Sequence, residues 1–378
     1  MRLALLNLTG KGGVSGGYRR YLERLLPIFD EKIGSGAILC ATPAGVPVRD
    51  WAGPVKRTEF ADCLPFSPLT GADESLKKRV AEFRPDVIFV PIERHFYYPG
   101  VPVVSMVLNM APMAANYEPG QLSERLRHVF QRYCARKAVK NSAHVFAPSR
   151  FVKEYLTGHW GLAPDAVTVV YPGAEKTDGL ALARPAAIPP AWDKFLWTIG
   201  SVERYRGLED LFSALLEKGL EEARLVICGA ARGPMKAYHA ELKRKAEELG
   251  LGGRLIWVQG LTEGEITWCY RNCAAFVMTS RIEAGPNTAL EALSAGSVCI
   301  AADNPPLPEF FGATALYYPP GDGAALAGRI KTALGWDAPG RAERSQAARA
   351  RAAEFSWQTA ADRMFELFEK LAPGAGRV

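Results

Sequence analysis

Residues 3–22 read LALLNLTGKGGVSGGYRRYL, and the reading of the glycines between Gly10 and Gly17 decides the fold. A P-loop wraps backbone N–H groups round phosphates, then needs a Lys and a Ser or Thr directly after its second glycine. Counted from Gly12 that glycine is Gly17, and Tyr18 and Arg19 follow it. Lys11 could stand in, as in loops of the KGGxGK[ST] type, but those loops keep the second Lys and the hydroxyl. What survives is an apolar strand over Arg2–Leu8, a flexible glycine loop and a helix from about Gly17. That is the first βα turn of a doubly wound α/β domain, where a helix N-terminus can face an anion or a sugar.

The same rhythm continues along the chain. Strands are expected at Ala37–Ala41, Asp86–Ile92, Val101–Leu108, His144–Ala147 and Thr168–Val170 in the first half. The second half offers Phe195–Ile199, Arg224–Cys228, Leu255–Val258, Ala275–Met278, Val298–Ala301 and Ala315–Tyr317. Most are continuous apolar runs, as in parallel strands buried on both faces. Helical patterns lie between them at Tyr18–Phe29, Asp73–Phe83, Ser123–Asn141, Leu208–Glu217, Met235–Leu249 and Asn287–Ala295. A βαβ series told twice predicts two Rossmann-like domains, with strand C-termini facing a central cleft. The first would span 1–178 and the second 192–354. The Ala- and Pro-rich stretch 179–191, GLALARPAAIPPA, would link them. The stretch Ser67–Ala72 reads as a loop. The tail from Ala342 to Leu371 reads as helical, with Trp357, Ala361, Met364, Phe368 and Leu371 on one face.

Bulk properties narrow the function. The 378 residues are 48% hydrophobic and 23% charged, which fits a globular protein of two ordinary domains. Met1 and Arg2 lead straight into a strand, so no secretory leader is expected. The longest apolar stretch, Val101–Ala115, carries Ser105, Asn109 and two prolines and does not read as a membrane span. Seven scattered cysteines without a CxxC, Cys269 and Cys273 among them, read as reduced thiols of a cytoplasmic protein. The net charge of +6 suits an acidic substrate or peripheral contact with the inner face of a membrane. No basic stripe with interleaved aromatics suggests nucleic acid.

The most informative stretch is SRIEAGPNTALEALSAG, Ser280–Gly296. Glu283 follows an apolar strand, Gly285 and Pro286 turn the chain, and Asn287 opens a helix that carries Glu291. The N–H groups of that helix start, those of Asn287 and Thr288 among them, suit a pyrophosphate. A carboxylate further along the helix can accept two ribose hydroxyls, and one in the loop can face a sugar ring. An N-capped helix with early acidic residues would look the same.

The Glu-x7-Glu spacing, followed by ALSAGSVCIAADNPPLPEFFGATALYYPPGD, strongly resembles the retaining glycosyltransferases of family 4, which have the GT-B fold. HVFAPSRFVKEYL, VTVVYPGAE, WTIGSVERYRGLEDLFSAL, ARLVICGA and LIWVQGLTEGEITWCYRNCAAFVMTS fit the family's order of segments. FSWQTAADRMFELFEKL resembles the terminal helix that crosses back to the first domain, placing about 355–378 with it. The resemblance implies that Glu291 holds the ribose of a nucleotide sugar and Glu283 contacts the transferred sugar. Gly285, Asn287, Thr288 and the opening glycines Gly16 and Gly17 would line the binding site.

The family's usual diphosphate clamp resembles GR-x4-KG, whereas this chain has GSVERYRG over Gly200–Gly207. Ser201 replaces the Arg and Arg206 the Lys, with Arg204 a candidate for the missing cation. Arg206 keeps the charge and can bind phosphate bidentately. Many relatives have a His after a first-domain strand, where VVSMVLNMAPM offers Asn109. An amide there can only hydrogen-bond. His95, Tyr97 and Tyr98 follow another strand end and could meet an acceptor.

The implied activity is hexosyl transfer in polysaccharide biosynthesis, with retention of configuration. The donor is a UDP- or GDP-linked sugar, and the acceptor a glycan or lipid-linked molecule. No cofactor and no metal are expected, since no Asp-x-Asp signature occurs. The competing expectations are a non-catalytic nucleotide-sugar binding protein, or another enzyme of this fold such as a sugar-nucleotide epimerase or glycosyl phosphorylase.

Overall fold

The structure is a computed structural model of the chain and describes all residues except 11–13, 68–70, 114–121, 176, 178, 234 and 374–378. The chain forms two compact units. The first takes Met1–Met113, Ser123–Gly173 and Ser356–Pro373; the second is built from Ala174–Phe355, with Leu122 grouped to it.

The first unit contains β1 (Arg2–Leu6), α1 (Gly16–Lys32), β2 (Ala37–Pro43), α2 (Val48–Ala52), β3 (Thr58–Cys63) and α3 (Glu74–Phe83). It continues with β4 (Val87–Val90), β5 (Val103–Met106), α4 (Leu122–Lys140), β6 (His144–Ala147), α5 (Arg150–Trp160) and β7 (Val167–Val169). Its seven strands are parallel, in the order β3-β2-β1-β4-β5-β6-β7. Leu3 pairs with Ile38 on one side and Val87 on the other, so β1 is central and its apolar run is wholly buried from Leu3 on.

The second unit contains β8 (Leu196–Ile199), α6 (Glu209–Leu215), β9 (Leu225–Cys228), α7 (Met235–Glu248), β10 (Leu255–Val258) and α8 (Glu263–Asn272). Then come β11 (Ala275–Met278), α9 (Asn287–Ala295), β12 (Cys299–Ala302), α10 (Leu307–Phe311), β13 (Ala315–Tyr318), α11 (Gly323–Leu334) and α12 (Ala338–Ala352). The parallel order is β10-β9-β8-β11-β12-β13. In both sheets the order reverses beside the first strand of the unit, which opens a crevice at the strand C-termini. Residues 179–191 group with this second unit. Arg184 lies 5.2 Å from the Trp268 ring centre, its Nη2 donates to the Trp192 carbonyl at 3.1 Å, and Ile188 is buried.

The tail forms two helices rather than one. α12 ends at Ala352, and α13 (Trp357–Leu371) starts afresh where the Ser356 hydroxyl accepts from the Gln358 and Thr359 N–H groups. α13 belongs to the first unit. Trp357, Ala361, Met364 and Phe368 are buried as the periodicity predicts, joined by Ala360 and Phe365, and Leu371 packs at the margin. Phe368 meets Phe29, Phe89 and Phe146 with ring centres 5.3–5.8 Å apart. β3 was not expected. Thr58–Cys63 is an edge strand with only Cys63 buried, so its sequence lacks the apolar run of the other strands.

Candidate active site

The crevice of the second unit is built from the ends of β8, β9 and β11. Thr198, Gly200, Ser201, Arg206, Cys228, Met278 and Ser280 line a recess there. After β8 the chain makes a short 3₁₀ turn, Arg204–Arg206, closed by Gly207 in the left-handed conformation at φ 59°. A Cβ on Gly207 would stand 2.7 Å from the Thr279 carbonyl oxygen, so only glycine lets the turn lie against the end of β11. The Thr279 hydroxyl donates to the Arg206 carbonyl at 2.5 Å, and the Arg281 N–H donates to the Tyr205 carbonyl at 2.7 Å. These bonds hold the turn to the loop that begins at Thr279.

The Arg206 guanidinium packs on Gly200, where a Cβ would stand 2.9 Å from Cζ. Its Nη1 lies 2.8 Å from Glu283 Oε1, with side chains 17% and 12% exposed. This contact is an ion pair without the alignment of a directed hydrogen bond, so Glu283 Oε1 keeps capacity to accept one. Burial works against the Arg206 charge, but Glu283 and Tyr205 outweigh it and hold the guanidinium above its ordinary pKa. Burial pushes the Tyr205 phenol up to about 12. Arg204 goes elsewhere: it lies 4.2 Å from the Tyr238 ring centre and 3.6 Å from Glu241 on α7. The fold therefore brings Arg206, and not Arg204, to Glu283.

Beyond Glu283 the chain passes Gly285 and enters α9 behind Pro286, which provides no side-chain cap. Asn287 and Thr288 form its first turn. Glu291 Oε2 accepts from the Tyr270 hydroxyl at 3.1 Å, and that hydroxyl also lies 3.3 Å from the Thr288 carbonyl. Burial, followed by the Glu291 charge, raises the Tyr270 phenol well above its ordinary range, so it stays protonated as the donor. Tyr270 was missed in the sequence because its partner lies 21 positions away.

A second missed group pins the loop from below. Asp210 on α6 is buried and accepts from Arg281 Nη1 at 2.6 Å, Arg281 Nη2 at 2.5 Å, the Tyr318 hydroxyl at 2.9 Å and the Gly321 N–H at 3.0 Å. Asn304 Nδ2 donates to the Arg281 carbonyl. Burial disfavours the Arg281 charge, and the bonds and charge of Asp210 raise its pKa in spite of it.

The first unit presents a different set at its strand ends. Gly16 and Gly17 open α1, where the Ser15 hydroxyl accepts from the Tyr18 N–H at 3.3 Å. Lys11, Gly12 and Gly13 lie outside the described residues. Asn109 is exposed after β5, and its Oδ1 accepts from the Ala111 N–H at 3.1 Å, a local turn. Glu93, buried after β4 and missed in the sequence, accepts from the Leu108 N–H at 3.0 Å. Close by in the fold, Asn7 Oδ1, Thr9 Oγ1 and the Tyr18 hydroxyl are buried without a hydrogen bond. Burial, with Lys137 nearby, pulls the His95 pKa down. Tyr97 is exposed.

All seven cysteines are free thiols. Burial pushes Cys228, in the recess wall, up to about 11, so it is no nucleophile at neutral pH. Among the described residues no three His, Cys, Asp or Glu gather as a metal would require. Among them, too, no helix is long and apolar enough to cross a membrane.

Comparison with known proteins agrees with this fold. The family described as Glycosyltransferase Family 4 matches residues 37–177, and that described as Glycosyl transferases group 1 matches 185–351. An α-1,3/1,6-mannosyltransferase of Dictyostelium discoideum is 32% identical over 29% of this chain and 30% of its own. A D-inositol 3-phosphate glycosyltransferase of Corynebacterium efficiens is 27% identical over 64% of this chain and 59% of its own. The chain thus spans less than two thirds of the length of these curated relatives. The Anabaena protein HepE, solved in complex with UDP-glucose, superposes with a TM-score of 0.75 at 17% identity over 98% of this chain and all of that one. With two parallel α/β units, one family match on each and a GT-B neighbour over nearly its whole length, the chain belongs to glycosyltransferase family 4 and has the GT-B fold.

Proposed function

We propose that this chain is a retaining hexosyltransferase that takes a sugar from a nucleoside diphosphate carrier, UDP in the first instance, and passes it to a glycan or lipid-linked hydroxyl. The observation that carries this reading is the pairing of Arg206 with Glu283 at the strand ends, directly before the uncapped start of α9. Breaking the anomeric bond places negative charge on the departing diphosphate. Arg206 and the first-turn N–H groups of α9 meet that charge, and each such contact is worth about 2–4 kcal/mol of barrier. Glu291, oriented by Tyr270, accepts the ribose hydroxyls, and Glu283 faces the sugar. The acceptor attacks from the face the diphosphate leaves, and a departing phosphate oxygen takes its proton. The UDP-glucose complex of HepE supports the choice of carrier.

A thermal-shift screen of UDP, GDP, ADP and their sugars tests the donor. A bound ligand at about a hundred times its Kd raises stability by about 2.7 kcal/mol. Turnover is read as release of free nucleoside diphosphate that requires acceptor, and the product's anomeric configuration by NMR. Activity should persist in EDTA; complete, metal-reversible loss would refute the metal-independent mechanism. Donor binding without turnover on any acceptor would mark a non-catalytic binding protein.

A further inference from the structure

Helix α4 is built inside out. Its buried positions are Glu124, His128, Ala135, Ala138 and Val139, mostly small or polar. Its large apolar residues Leu122, Leu126, Val129, Phe130 and Tyr133 point to solvent, 42–71% exposed. They recur at i, i+4, i+7, i+8 and i+11, which makes one continuous stripe along the helix. These five are most of the large hydrophobics exposed among the described residues, so the apolar surface is concentrated here rather than scattered.

Among the described residues of the helix, the exposed charges have one sign. Arg125, Arg127, Arg132, Arg136, Lys137 and Lys140 are exposed, and the helix's one acidic residue, Glu124, is buried. Basic side chains flanking an apolar stripe can lay their stems along it and reach outward with their charges. We infer that α4 is a docking face for an anionic lipid surface, lying in the headgroup plane with Leu126, Phe130 and Tyr133 inserted. A second copy of the chain is a poor occupant, because packing two such faces together sets like charges against each other. The inference is independent of the donor chemistry and holds whether or not Arg206 meets a diphosphate.

Co-sedimentation of the full chain with vesicles tests it. The vesicles are equimolar phosphatidylglycerol and phosphatidylcholine, or phosphatidylcholine alone. Binding should be at least about tenfold stronger to the anionic vesicles and should weaken between about 0.1 and 0.5 M NaCl. The pair Leu126→Ser with Phe130→Ser, and separately Arg136→Glu with Lys140→Glu, should each cut binding by at least about tenfold. Because these side chains are exposed, the melting temperature and the shift produced by UDP should not move. No binding to anionic vesicles, equal binding to neutral ones, or binding untouched by both double variants overturns the proposal. So does a dimer that either variant dissociates while vesicle binding is absent, which would show that a second copy covers the face.

Discussion

The strand ends of the two units are finished differently. In the second unit the charged and phenolic groups have opposite partners, Arg206 with Glu283, Arg281 with Asp210 and Tyr270 with Glu291, although Arg206 Nε and Glu283 Oε1 keep unused hydrogen-bonding capacity. In the first unit Asn7, Thr9 and Tyr18 hold buried oxygens without partners, and Asn109 and Tyr97 stand exposed. A pre-paired site recognises a fixed chemical group at little reorganisation cost. Unpaired buried oxygens are costly until a ligand meets them. On the proposed function, the paired groups would meet the diphosphate carrier and the unpaired ones the acceptor.

The largest effect should come from cutting the support under the paired site. Asp210→Ala strands the Arg281 guanidinium, and urea unfolding should show a loss of about 3–5 kcal/mol. A loss below about 1 kcal/mol would mean the network is ornamental. Arg206→Ala should reduce turnover by about 2–4 kcal/mol of barrier. It also strands Glu283, so stability should fall, and adding Glu283→Ala should restore the stability without the turnover. A double mutant that recovers both would remove Arg206 from the chemistry.

A smaller effect separates the two glutamates. Glu291→Gln should weaken binding of free nucleoside diphosphate by about 1–3 kcal/mol. Glu283→Gln releases Arg206 from its partner, so diphosphate affinity should hold or improve while sugar transfer falls. Calorimetric titration of both variants decides it, and a larger loss for Glu283→Gln would reverse the assignment. The smallest effect tests the unpaired region. Tyr18→Phe removes a buried hydroxyl without a bond and should raise stability by up to about 1 kcal/mol while lowering kcat/KM for the acceptor. A clear loss of stability would place Tyr18 among the paired groups.

What the sequence revealed follows from the range of each interaction. β6, β10, β11 and α9 fall within their expected bounds because an apolar run between turn residues, or a helix between Pro286 and Gly296, is a local signal. The helix α8 had a local signal too, the Thr262 and Glu265 capping box, which went unread. β3 had none, being polar and at an edge. In the candidate site, Glu283, Glu291 and Arg206 were singled out by spacing and family resemblance, and the fold sets Arg206 against Glu283. The Arg281–Asp210 pair joins positions 71 apart and Tyr270 reaches Glu291 from another helix, so only the folded chain brings them together.

The placement of α13 has a consequence for how the protein is made. A ribosome releases β1 to β7 first and the whole second unit next, and only then Trp357 to Leu371. Until that last helix emerges, Phe29, Phe89 and Phe146 lack the ring of Phe368 that closes over them. The unit begun first is therefore completed last, and its aromatic centre waits open through the synthesis of some 180 residues, from Ala174 to Phe355. A chain cut short before Trp357 would release a second unit with its sheet intact, still tethered to a first unit with an exposed, aggregation-prone core.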